Sequence, residues 1–116
     1  MSRPLELVVE PYRALSPGKH YPMRVIAIRK EAAALEVVLE HIANDQAGRQ
    51  HEVFLGLPLR PQSPSARFFV SLGCDASIGS RIRPADAVSR ELIVQFSASS
   101  EGEEPQPVAF HPIPEK

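Results

Sequence analysis

Tryptophan is absent, aromatic residues make up only 6% of the chain, and cysteine occurs once, as Cys74. A lone cysteine excludes an internal disulfide and a multi-cysteine zinc site. Few aromatics leave few platforms on which a nucleobase could stack. No apolar run is longer than a few residues, so neither a transmembrane helix nor a secretory signal core is expected, and a cytoplasmic protein is. Glycine is sparse, at six residues, and no glycine-rich phosphate loop appears. Ser71 and Ser77 lie in no nucleophile elbow, and Cys74 has no activating base at a telling spacing. An enzyme is therefore not expected, and no cofactor is.

Charge of one sign is also lacking. The net charge is −1 over 116 residues. Residues 1–100 carry +2, and residues 101–116, with Glu101, Glu103, Glu104 and Glu115 against Lys116, carry −3. Duplex-binding domains are far more basic, because neutralised phosphates supply most of their affinity. Length allows a single domain with room for a core that needs no staple.

Proline, by contrast, is abundant. Twelve prolines speak against long helices and punctuate extended segments, at Pro58, Pro61 and Pro64 and again from Pro105 to Pro114. Arginine supplies ten of the thirteen basic residues, a bias that suits bidentate contact with phosphate or carboxylate.

Apolar residues alternate in several segments, and a two-residue period means strand. Leu5 to Val9 reads as a short strand or an arm that pairs elsewhere. Tyr21 to Lys30 reads as a first long strand, with Tyr21, Met23, Val25 and Ala27 on one parity. Residues 34–42 form the second, entered through a turn of alanines, although Glu31 to Ala34 also has helix propensity. Arg49 to Leu57 forms the third, with His51, Val53, Leu55 and Leu57 on one face and Phe54 on the other. Ser63-Pro64 starts a helix over 64–72, and Gly73 stops it. Glu91 to Phe96 and Pro107 to Pro112 complete five strands around the polar loop Ser97 to Glu104. The expected core is Val25, Ile28, Leu39, Val53, Leu55, Phe69, Leu72, Leu92, Val94 and Phe110.

Three strands, a helix and two strands is the element order of the OB-fold, a five-stranded Greek-key barrel with its helix between strands 3 and 4. The sequence resembles small phage and bacterial OB-fold domains related to single-stranded-DNA-binding proteins. The matching features are Pro17-Gly18-x-x-Tyr21 with Arg24-Val25-Ile26, the hairpin from Leu35 to Arg49, the helix exit Phe69-Val70-Ser71-Leu72-Gly73, the stretch from Asp86 to Phe96, and Pro107 to Phe110. The resemblance implies a barrel over 18–112, preceded by an arm or extra strand over 1–17 and followed by a short tail over 113–116. It also implies binding of single-stranded nucleic acid, in replication or recombination.

The candidate phosphate contacts are Arg24, Arg29, Lys30, Arg49 and Arg60, with Phe54 as the stacking platform. The competing reading is a protein-interaction or assembly module, with a homo-oligomer among its forms, which pairs through a sheet edge or through residues 5–9. A basic stripe favours the first; arginines each paired with a glutamate favour the second. Phe54 alternatively packs on residues 5–9. His20, His41, His51 and His111 lack metal-ligand spacing, and His41 and His51 read as a cross-strand pair of surface histidines.

Overall fold

The computed structural model describes residues 3–98 and 102–114. The tip of the 97–104 loop with Glu101, and Glu115 and Lys116 at the end, lie outside the described residues. Five antiparallel strands form one sheet: β1 (His20–Glu31), β2 (Ala34–His41), β3 (Gln50–Gly56), β4 (Glu91–Phe96) and β5 (Pro107–His111). Their order is β3-β2-β1-β4-β5, and no pairing among the described residues joins β3 to β5, so the sheet is not closed. One helix, α1 (Pro64–Ser71), packs against both of those edge strands.

β1 pairs with β4 through its first five residues and with β2 from Met23 onward. Where the two ladders overlap, the register shifts between Val25 and Ala27. Ser89 N–H donates to Val25 O at 2.7 Å, and Val25 N–H donates to Arg90 O at 2.9 Å. The extra residue of this bulge swaps the parity of the strand. Met23 and Val25 face the core before it, and Ile28, rather than Ala27, packs against the core after it.

In β2 and β4 the alternation survives folding intact. Leu35, Val37, Leu39 and His41 of β2 are buried, as are Leu92, Val94 and Phe96 of β4. Ile28, Val53 and Phe110 of the expected core are only partly buried and pack against it. Glu31 to Ala34 is a tight turn between β1 and β2 and not a helix; the cross-strand pairs Lys30–Leu35 and Glu31–Ala34 leave only Ala32 and Ala33 to connect them.

The ends of α1 follow from their residues. Ser63 Oγ accepts from Ala66 N–H at 3.2 Å, and Pro64 fills the first helical position, where an N–H would have no partner. At the other end Cys74 N–H donates to Phe69 O and Gly73 N–H to Val70 O, with Gly73 at φ +90°. This double bond requires a left-handed residue, which glycine adopts without a Cβ clash. Phe68, Phe69 and Leu72 are buried, and Phe68 meets Phe110 of β5 with ring centroids 5.2 Å apart.

Leu5 to Val9 forms no strand. Residues 3–14 are extended, and the side chains of Leu5, Leu7, Val8 and Val9 are 83–96% exposed. The radius of gyration is 17.0 Å and the longest dimension 71 Å, against about 13 Å for the radius of a compact chain of this length. The arm is rooted by buried Leu15.

His41 and His51 are not surface residues. Both share the parity of Leu39 and Val53, so folding turns them inward, and His41 is 1% exposed. Their rings lie 5.1 Å apart and meet Phe96, while Tyr21 meets His41 and Phe96. The Nε2 atoms of both histidines are buried without a partner. Burial first, and then the neighbouring His51 and Arg49, lower the His41 pKa from 6.5 to about 4; burial and Arg49 lower that of His51.

The fold therefore holds both rings neutral, whereas the unfolded chain takes up protons near pH 6.5. Stability is full above pH 6.5 and falls as the pH drops towards 4, by about 3 kcal/mol for His41 alone. Urea unfolding at pH 7.5 and at pH 4.5 measures that loss, and His41→Leu should remove most of it.

Candidate functional site

The outer face of the sheet carries most of the candidate contacts, because residues alternating with the buried ones on β1, β2 and β3 must point away from the core. One row across three strands is Arg29, Glu36 and Phe54; another is Arg24, Glu40 and Gln50, with Glu91 of β4 beyond Arg24. Phe54 is 63% exposed, and the arm does not cover it.

The arginines in these rows are neutralised in place. Arg24 Nη2 donates to Glu91 Oε2 at 2.8 Å. Arg29 Nη2 donates to Glu36 Oε2 at 2.7 Å, and its Nε lies 3.3 Å from Glu31. The bond to Glu36 raises the Arg29 pKa above its ordinary value, with further help from the charges of Glu36 and Glu31. Glu36, Glu40, Glu52 and Glu91 outnumber Arg24 and Arg29 on this face, so its field repels phosphate.

Arg49 sits elsewhere and does something different. Its side chain is only 19% exposed, and it donates to Gln46 Oε1 at 3.2 Å and to Arg13 O at 3.4 Å. It also pairs with Glu104, in the segment leading into β5. Gln46 Nε2 donates to the same Arg13 carbonyl at 2.6 Å. Tyr12 lies under the Arg49 guanidinium, 5.9 Å from it, and its hydroxyl crowds Gly48. Arg49 thus fastens the root of the arm to the start of β3 and to the start of β5.

Lys30 lies on the opposite parity from Arg29, across from Leu35, and Arg60 follows the far end of β3. Neither makes an ion pair among the described residues. Arg49 and Arg60 are separated by the length of β3, on the order of 20 Å. The structure therefore sets Arg29 and Phe54 in one row with Glu36 between them and keeps Arg49 and Arg60 apart.

Alternation gave no signal for three further cations. Arg67 on α1, and Arg81 and Arg83 on the following loop, make no ion pair among the described residues. Arg67 borders a groove of about 290 Å³ between α1 and the outer side of β5, where Val70 and Val108 are more than half exposed. No group of three or more His, Cys, Asp or Glu side chains suited to a metal ion occurs among the described residues. Among the described residues no helix is long and apolar enough to cross a membrane.

Compared with protein-family models, with curated proteins and with solved structures, the chain matches none.

The two kinds of arginine should separate on substitution. Arg49→Ala strips partners from half-buried polar groups and should cost about 1–3 kcal/mol in urea unfolding. Arg24→Ala breaks an exposed pair and should cost less than about 1 kcal/mol.

Proposed function

We propose that this chain is a protein-binding module that offers an aliphatic arm and open sheet edges to a partner. One observation carries the reading: Arg24, Arg29 and Arg49, the main candidates for phosphate contact, are each engaged by a glutamate. To meet a phosphate each would first give up that partner, on a face where carboxylates are in excess. Meanwhile four aliphatic side chains of the arm stand in water, an arrangement that marks interaction surfaces.

The fold that belongs to this reading is an OB-like Greek-key barrel left open between β3 and β5. Support comes from the strand order, from the helix between β3 and β4, and from β1 pairing on both sides. Edge strands that lack a neighbour are natural sites for strand addition by another chain. A cytoplasmic location is part of the same proposal.

Binding of single-stranded nucleic acid, in replication or recombination, is the second reading. It is favoured by Phe54, a large exposed aromatic in one row with Arg29, and by the unpaired Lys30 and Arg60. The resemblance to phage and bacterial single-strand-binding OB domains points the same way.

Titration of a labelled single-stranded oligonucleotide at low and at physiological salt separates the two. The protein-binding reading expects no saturable binding below about 100 μM at low salt, since a face of net negative charge releases no counterions. Tighter binding that falls with salt, and weakens by about 1–3 kcal/mol in Phe54→Ala, would overturn it in favour of the second reading.

A further inference from the structure

The arm and the α1–β5 groove are two unsatisfied surfaces on one chain. Along the arm Leu5, Leu7 and Val9 alternate with Glu6, Val8 and Glu10. In extended form one side is wholly aliphatic, and the other sets Val8 between two carboxylates. The groove offers aliphatic Val70 and Val108 with the aromatic Phe110, and its cation is Arg67. No acidic side chain lines it. β5 bounds the groove and is hydrogen-bonded to a neighbouring strand on one side only.

The other free edge is a poorer match. β3 presents Glu52 there, and the adjoining outer face is net acidic, so Glu6 and Glu10 would meet like charge. At the α1–β5 groove they meet no carboxylate, and the lining includes the cation Arg67.

The arm is also aimed away from its own body. Its root is held by Leu15 and by the Arg13 carbonyl, bonded to Gln46 and Arg49. Glu10 precedes Pro11, which keeps Glu10 extended and disfavours a sharp turn back at that point. A second copy, carrying the same arm and the same groove, satisfies both surfaces at once, and a two-fold axis closes the pair.

We propose that two copies of this chain exchange arms, residues 5–10 of each adding as a strand along β5 of the other and seating their aliphatic side chains against Val70 and Val108. The proposal rests on the protein-binding reading and names its partner.

Sedimentation velocity of the full chain from about 1 to about 100 μM tests it, with the oligonucleotide titration above as the separate test of the underlying reading. The expected result is a concentration-dependent shift from 12.8 kDa towards twice that mass. Leu7→Asp on the arm and Val70→Asp in the groove both alter exposed positions, and each should weaken dimerisation by at least about 30-fold by placing a charge in an apolar contact. Arg67→Glu should weaken it about 10-fold, and adding Glu6→Lys and Glu10→Lys to that variant should recover most of the loss. A chain that stays monomeric at 100 μM overturns arm exchange and leaves the protein-binding reading standing. A dimer that either Leu7→Asp or Val70→Asp leaves intact, or charge reversal without recovery, also overturns it. Circular dichroism of each variant distinguishes lost association from lost folding.

Discussion

β1 hydrogen-bonds to a neighbour on each side, and the whole sheet is hung on that strand. Its first half carries β4 and, through β4, β5; its second half carries β2 and β3. The bulge at Val25–Ala27 lets one strand serve two directions, since a bulge bends and twists the chain where an unbroken ladder would stay regular. Had β1 been shorter, the two wings would share no ladder, and Met23, Val25 and Ile28 could not link their cores. Residues 89 and 90, bonded to Val25 on both sides of its peptide unit, close the joint.

The two wings end in the unpaired edges β3 and β5, and α1 bridges the space between them. Phe68 and Phe69 supply the apolar filling there, and Ser65 Oγ, donating to Gly56 O at 2.9 Å, ties the start of the helix to the end of β3. At the opposite end Arg49 performs the corresponding task for the approach to β5 and for the arm. An open sheet is held at both ends of its gap by contacts that are not strand pairing.

Electrostatics separates the inside of this protein from its outer face. Inside, His41 and His51 are packed among aromatic rings with unpartnered nitrogens, a cost that grows as protons become available. Outside, glutamates hold the arginines in pairs whose own energies are small. Their larger effect is on recognition, because a neutralised arginine offers no net charge to steer a polyanion. Among the described residues, Arg67 on α1 and Arg81 and Arg83 on the loop behind it make no ion pair, and Arg67 lies near aliphatic side chains and not along the sheet face.

Period-two alternation in the sequence was enough to place β2, β3 and β4 and the inward side of each, since side-chain direction in a strand depends only on position. Ser63-Pro64 and Gly73 likewise located α1, because helix ends are decided by a cap, a missing N–H and a left-handed residue within a few positions. Alternation also put Phe54 outside. Ile28 was expected in the core beside Val25, but the bulge that lets both face inward was not legible, because it is stabilised by the neighbouring strand and leaves no mark in local spacing. Nor was the burial of His41 and His51: their parity matched the core, but their polarity argued for water until aromatic neighbours from β1 and β4 were in place. The fate of the arginines lay furthest from the sequence. Arg24 and Glu91 are 67 residues apart, and Arg49 and Glu104 are 55, so only the tertiary fold could decide that they meet.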